Sequence, residues 1–405
     1  MTERQSSDSA QSPRFVIVGA GNGGLAIAGH LALKGHPVAV YGRREEKLKP
    51  IREAGGLELA GAVQGFAPVS LLTTDIEEAL AFADTVLVVV PASAHRDVAE
   101  KCAPYLGDDH VVVLLPGRTG GAMEFSRVLR ENGNSLSWIV AETGTFPYAS
   151  RHLGGNLVRV FGLKKTVTVA ALPALATPLV LSRLHFAFPE MTPALTVLRT
   201  SLDNLGAIFH PAPTVLNAAR IHETGGAFDH YHQGISPEVA RILEAMDRER
   251  VAVAAALGAK VSTALEWLHQ TYGVGQGAGQ GTGQGAGHGG GQSVAHGAGP
   301  ADLYSALQEN KVYAGIAAAT DLNHRYITED VPCSLVPIAS LGQSVGVPTP
   351  TIRSIIYLAS LMTGVQFWLT GRTVDKLGLS GLSAPEIRRL AEFGSSDVPE
   401  EVVLA

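Results

Sequence analysis

Six residues early in the chain, Gly19-Ala20-Gly21-Asn22-Gly23-Gly24, carry the spacing G-x-G-x-x-G. Alone the pattern is weak. Here it follows an apolar run, Phe15-Val16-Ile17-Val18, and opens an apolar stretch, Leu25-Ala26-Ile27-Ala28. A strand, a glycine turn and a helix in that order suit the pyrophosphate of a dinucleotide. Gly19 permits the tight turn, Gly21 leaves room for the phosphates, and Gly24 lets the helix pack close to the strand. Asn22 and Gly23 stand at the helix N-terminus, whose free N–H groups and partial positive charge attract phosphate.

The end of the next strand, about 20 residues on, bears on which dinucleotide is bound. An acid there would bind the adenine-ribose 2′-OH. The chain instead reads Tyr41-Gly42-Arg43-Arg44. Two guanidinium groups attract a 2′-phosphate and can bond it bidentately. NADP(H) is therefore expected ahead of NAD(H), which stays an option because Glu45 and Glu46 follow at once. The bland alternative is that both arginines are solvated surface charges.

The elements that must hold these residues are legible as alternation. Apolar runs at residues 15–18, 37–41, 85–90, 111–115 and 138–141 read as buried strands, and residues 158–169 add later ones. Helical stretches separate the early runs. That order predicts an α/β fold with a Rossmann-type doubly wound parallel sheet, covered on both faces. Ligands bind such sheets at the carboxyl ends of the strands. Pro91, Arg118 and Thr143 lie on loops at those ends, Pro91 as a cofactor contact and the other two as candidates for nicotinamide or substrate contact.

The pattern changes near residue 190. Thr192-Pro193 reads as a helix start, with Leu195, Leu198, Leu202, Leu205 and Phe209 on one face. Ser236-Pro237-Glu238 starts another, carrying Val239, Ile242, Leu243 and Met246 and stopping at Gly258. The expected organisation is a frayed tail over 1–13, a dinucleotide-binding domain over 14–190, and a mostly α-helical C-terminal domain over 191–405. Residues 273–300 are built largely of Gly, Gln, Ala and His and read as a disordered insert. His288 and His296 within it, and His230 with His232 at i, i+2, are weak metal ligands at best, and no metal is expected.

Composition narrows the class. The 405 residues carry a formal charge of −6 with no basic cluster, which argues against nucleic acid as a partner. No apolar run is long enough to span a bilayer, so no membrane partner is expected. Two distant cysteines, Cys102 and Cys333, fit a reducing, cytoplasmic setting without disulfides. The expected partners are small molecules, and a homodimer is an open assembly.

Five blocks in order resemble the octopine/nopaline (opine) dehydrogenases. They are residues 116–125 (PGRTGGAMEF), residues 142–151 (ETGTFPYASR), His210-Pro211 with Leu216-Asn217, Gly234-Ile235-Ser236-Pro237 with Glu244 and Asp247-Arg248-Glu249-Arg250, and residues 326–332 (YITEDVP). The resemblance runs from about Arg14 to Met362, apart from the Gly-rich insert. It implies NAD(P)H-dependent reductive condensation of an amino-acid amine with a 2-keto acid. It also implies a catalytic His–Asp pair, carried here by His210 and Asp330, and a substrate-carboxylate arginine, Arg325. The chain departs from the family at His230, where an aromatic residue is commoner, and at Gln233 and Gly144, where acids are commoner. A 2-keto or 3-hydroxy acid reductase on a similar frame is the competing reading. A regulatory NADP(H)-binding protein without turnover is the alternative of another class.

Overall fold

The computed structural model describes residues 12–134, 138–272 and 302–397. The expected Gly-rich insert, with His288 and His296, and nearly all of the expected N-terminal tail lie outside the described residues. The chain divides into two compact units. One comprises the described residues up to Ser201 together with those from Val374 onward; the other is Leu202–Thr373. This corrects the expected boundary near residue 190. It also corrects the assignment of the whole C-terminal part to the helical domain.

The first unit holds twelve strands. Those of the main sheet are β1 (Phe15–Val18), β2 (Val38–Tyr41), β5 (Leu71–Thr73), β6 (Thr85–Val88), β7 (Val111–Leu114), β8 (Ile139–Thr143), β11 (Val167–Leu172) and β12 (Met191–Pro193). Their order is β12-β11-β8-β7-β6-β1-β2-β5. The six strands from β8 to β5 run parallel, as the alternation predicts; β11 runs antiparallel to β8. Strands β1, β2, β6 and β7 are buried along their whole length, which is why they read as continuous apolar runs rather than alternations.

A second sheet comes from β3 (Leu57–Gly61), β4 (Gly65–Ala67), β9 (Tyr148–Gly154) and β10 (Leu157–Leu163), ordered β4-β3-β10-β9. Sequence reading placed strands near residue 158 but did not anticipate this sheet. Its strands alternate buried and exposed residues and so carry a weaker signal. It packs on the helix Asn22–Leu33. A Cβ on Gly29 of that helix would lie 2.2 Å from Leu59 Cδ1. With a sheet on each side, residues 24–29 and Leu31 are all buried, so the helix is apolar almost all round.

Thr192 does not cap a helix. Residues 191–193 form the edge strand β12, in register with Val167, Thr168 and Val169 of β11. Proline, lacking an N–H, is harmless on an edge. The expected single helix with a leucine stripe is instead two short helices, Val197–Leu202 and Gly206–Phe209. The break falls at Asp203-Asn204, whose side chains bond elsewhere: Asp203 accepts from the Ser262 N–H at 3.2 Å, and Asn204 Nδ2 donates to Ser334 Oγ at 2.9 Å. Leu195 is exposed and Leu198 is buried.

The helix start at Ser236 is as expected. Ser236 Oγ accepts from the Val239 N–H, and the helix runs Pro237–Ala256 with Leu243 and Met246 buried. Gly258 follows it at φ +71°. Beyond Pro193 the described residues contain no named strand, and one isolated bridge pairs Asp229 with Ala317.

The C-terminal return to the first unit has visible causes. The turn Val374–Leu377 packs on the helix Gly121–Glu131. Leu377 is buried so close to Gly120 that a Cβ there would meet it at 2.6 Å. The helix Ala384–Phe393, begun by a Ser383/Glu386 capping box, buries Ile387 and Ala391 and packs against β11. Cys102 and Cys333 are both buried and free, and burial pushes the Cys102 thiol up to about 12. Among the described residues no single helix is long and apolar enough to cross a membrane.

Candidate functional site

The glycine turn has the geometry its sequence requires. Gly19 sits at φ +129°, and a Cβ on it would be 2.3 Å from Val89 O. A Cβ on Gly24 would be 1.7 Å from Gly19 O, so the helix comes as near the strand as a bare α-carbon allows. Gly21 has nothing within 4 Å of that position, which leaves a cradle for a bulky anion against the backbone. These residues fit a dinucleotide pyrophosphate. A Cβ on Gly23 would meet Phe146 Cζ at 2.6 Å, so this ring walls the turn from the β8 side.

Asn22 is placed with its side chain turned to the second sheet, where Oδ1 accepts from the His152 N–H at 3.0 Å. Its backbone N–H stays at the helix start. Arg43 and Arg44 follow β2 with 68% and 62% of their side chains exposed. They face Asp97 at 3.9 Å and Glu46 at 3.5 Å, loose pairs that a phosphate can displace. Pro91 is exposed just past β6, before the turn Ala92–Ala94.

Arg118 and Thr143 follow or end neighbouring parallel strands, β7 and β8. Thr143 is buried, its hydroxyl 3.4 Å from Leu114 O. Arg118 sits at φ +59°, alone among the described non-glycine residues in having a positive φ. Such backbone is disfavoured for a side chain and concentrates at functional loops.

Two groups here escaped sequence reading as contributors. Glu142, fully buried, accepts from the Ala122 N–H at 2.8 Å and from Thr200 and Ser201 hydroxyls at 2.7 Å. It pins the N-terminus of the helix Gly121–Glu131 to the end of the first unit. Lys164 donates to Thr145 Oγ1. Burial first, and Arg118 second, lower its pKa to about 8. A lysine among Gly162-Leu163-Lys164-Lys165 carries no sequence signal that sets it apart.

In the second unit His210 and Asp330 come together from 120 positions apart, with Nδ1 2.8 Å from Oδ2. Asp330 is fully buried, whereas His210 retains 20% of its side chain exposed. A carboxylate accepts, so Nδ1 carries the proton and Nε2 is left free to exchange one. His210 stands at a joint between the helices Gly206–Phe209 and Pro211–Leu216. Asp330 precedes a buried π-helical turn, Val331–Leu335. Such wide turns cluster at functional sites.

Aromatic groups fix the histidine ring. Tyr326 stacks on His210, with centroids 4.2 Å and planes 18° apart. His324 and His230 lie against the same tyrosine at 4.4 and 4.9 Å. His230 is buried and its Nε2 faces Phe209 O at 3.0 Å; burial lowers its pKa to about 4, so it is a neutral donor to that carbonyl. Arg325 pairs with Glu329 at 2.8 Å, its own side chain 58% exposed and the acid nearly enclosed. Arg325, the expected substrate arginine five residues before Asp330, thus already has a carboxylate partner. Among the described residues no group of three metal-capable side chains gathers, at His230 and His232 or elsewhere.

The remaining sequence blocks turn out to be scaffold. Asn217 Nδ2 donates to Gly234 O at 2.8 Å, joining two of them. Arg250, fully buried, bonds Asp247 and the Leu202 and Ser262 carbonyls. Glu249 accepts from the N–H groups of Thr351 and Ile352, capping the helix Pro350–Thr363.

Comparison with known proteins finds matches in both parts of the chain. Residues 193–363 match the NAD/NADP octopine/nopaline dehydrogenase alpha-helical domain, and residues 14–132 match the NAD-dependent glycerol-3-phosphate dehydrogenase N-terminus. An opine dehydrogenase of Arthrobacter sp. (strain 1C) is 38% identical over 94% of this chain and 99% of its own. A vitopine synthase of Allorhizobium ampelinum is 26% identical over 91% and 96%. Among solved structures, octopine dehydrogenase with NADH and L-arginine superposes with a TM-score of 0.74 at 22% identity, covering 94% of this chain and 98% of the other. Yersinopine dehydrogenase with NADP+ bound gives 0.69 at 15%, covering 91% and 98%. The chain belongs to the opine dehydrogenase family, NAD(P)-dependent oxidoreductases that act on CH–NH bonds.

Proposed function

We propose that the chain catalyses reductive condensation of an amino-acid amine with a 2-keto acid, and the reverse oxidation, with His210 and Asp330 as its acid–base pair. The 2.8 Å bond between His210 Nδ1 and a fully buried Asp330 carries the reading. Asp330 fixes the tautomer and stabilises the imidazolium, which leaves Nε2 to work on the substrate. With Nε2 also protonated, the imidazolium donates to the keto oxygen as the amine attacks; Nε2 then takes a proton from the nitrogen that has attacked and returns it to the hydroxyl, which leaves as water to give an imine. NAD(P)H, when bound, supplies the hydride that reduces the imine carbon. Arg325 is assigned a substrate carboxylate, its exposed guanidinium exchanging or sharing Glu329. Thr143 and Arg118 are assigned to the nicotinamide and substrate side of the sheet.

The glycines 19, 21, 23 and 24, with Asn22 and Pro91, are assigned to the dinucleotide. NADP(H) is preferred because Arg43 and Arg44 stand where an acid would select NAD(H), which we keep as a poorer cofactor. Gly144 stands where relatives often carry an acid, which favours a neutral amino acid or one whose charge is differently placed. The cytoplasm is the proposed compartment. No partner beyond the small-molecule substrates is needed for this chemistry, and a homodimer is compatible with it.

The test follows absorbance of the reduced nicotinamide, NADPH and NADH in parallel, with pyruvate, 2-oxoglutarate, glyoxylate or oxaloacetate, alone and with a panel of amino acids. The expected result is oxidation that requires both an amine and a keto acid, faster with NADPH. Oxidation by a keto acid alone would instead establish a simple reductase.

A further inference from the structure

Among the described residues nothing covers the outer side of the helix Pro350–Thr363. Its inner side is buried through Ile352, Ile355, Ile356 and Ala359. The opposite side carries Tyr357 and Leu361, 63% and 62% exposed, with Met362 exposed at its end. Past Gly364, at φ +72°, Val365 and Leu369 extend the apolar surface. The turn Phe367–Thr370 folds back beside the helix, and Arg353 lies 5.0 Å over the Trp368 ring.

Area and composition together say what covers this face. The five exposed side chains leave on the order of 500 Å² open, the upper end of what a monomer shows in one patch. Two such faces closed on each other remove on the order of 1,000 Å², and a rim brings that to the size of a specific interface. Residues 350–373 contain no aspartate, glutamate or lysine. Arg372 is buried, and Arg353 donates to Gln343 Oε1 at 3.1 Å besides its contact with Trp368. A second copy therefore meets the face without stranding a charge. A helix that lies in a lipid surface carries Lys and Arg along its polar side; this one has Arg353 alone.

The stripe also complements itself. Ser354, Tyr357 and Leu361 follow one another at i, i+3 and i+7. Ser354 Oγ already donates to Pro350 O at 2.8 Å, so covering it leaves no polar group unmet. We propose that the chain pairs with a second copy through this face, the two helices antiparallel about a two-fold axis beside Tyr357 and Leu358. Leu361 of each copy then packs over Ser354 of the other, large against small, and the positive end of each helix lies by the negative end of its mate. The inner side of the same helix packs on the helix Pro211–Leu216, which His210 begins, and on the π-helical turn after Asp330. The axis thus stands behind both members of the His210–Asp330 pair. The pairing does not depend on the condensation reading.

The test uses the full-length protein. Sedimentation velocity from about 1 to 100 µM should show a dimer with a dissociation constant of roughly 1 µM or tighter. Its melting temperature should rise with protein concentration. Leu361→Glu changes an exposed side chain, so the circular dichroism of the parent should be kept while pairing weakens at least about 100-fold. Tyr357→Cys gives an independent reading, because Cys102 and Cys333 are buried. A short bis-maleimide should link it into a covalent dimer, whereas Leu195→Cys, exposed in the first unit, should stay single. A parent that remains a monomer at the highest concentration overturns the proposal. So does a dimer that survives Leu361→Glu, or equal linking of the two cysteine variants. Flotation of a monomeric parent with phosphatidylcholine/phosphatidylglycerol vesicles, lost in Leu361→Glu, would give the face to a lipid surface instead.

Discussion

At the glycine turn the atoms offered to a ligand are backbone, and six consecutive residues build it. Around His210 they are side chains, brought from the segments near residues 210, 230 and 326–330. The first kind of site is written where it is read, because absence of a Cβ acts locally. Gly24 against Gly19 O at 1.7 Å is a constraint between neighbours in sequence. The second depends on packing that no local rule states. It became visible in sequence only through resemblance, and its stacking tyrosine went unassigned.

Substitutions that separate these two kinds of site follow, from the largest effect to the smallest. Gly24→Ala forces a methyl into a carbonyl and should cost more than about 4 kcal/mol, with NADPH binding lost. Gly21→Ala, with open space around it, should melt near the parent temperature yet bind NADPH poorly. Calorimetric melts paired with fluorescence titration would show both; equal melting of all three proteins would discredit the local-constraint account. His210→Gln should leave melting and NADPH binding close to the parent and lower kcat about 10²- to 10⁴-fold. A kcat within a few-fold of the parent would remove His210 from the chemistry.

The paired variant Arg43→Ala/Arg44→Ala should weaken NADPH binding about 10- to 100-fold and leave NADH nearly unchanged. Equal effects on the two cofactors would reassign both arginines to the surface. At neutral pH the smallest effect is at His230, whose signature is a pH dependence. His230 titrates near 4 in the folded chain but at 6.5 when unfolded. The unfolded chain therefore binds the proton first, and stability falls as pH drops from 6.5 towards 4, by on the order of 3 kcal/mol at the lower end. His230→Phe should flatten part of that decline in melting temperature; an unchanged acid slope would mean His230 is not so buried in solution.

The same contrast explains what sequence could tell about the fold. Fully buried strands such as β1 and β7 announce themselves, and so does a Ser-Pro-Glu helix start at Ser236. Thr192-Pro193 looks like the same signal and is a strand, because an edge position forgives proline. The β3–β10 pairing joins residues about 100 apart and buries one side only, so its pattern is diluted. Arg325 was legible as a cation near Asp330, but its Glu329 partner was not weighed, although i, i+4 spacing on a helix suggests it. Lys164 needed coordinates altogether.

The return of residues 374–393 to the first unit reorders the protein in time. A ribosome delivers residues 12–201 first, yet Leu377, Ile387 and Ala391, which pack against them, emerge only after the whole helical unit. The nucleotide-binding unit is begun before the helical unit and completed after it. A truncation at Thr373 would therefore spare the unit nearest the cut and injure the one most distant from it in sequence.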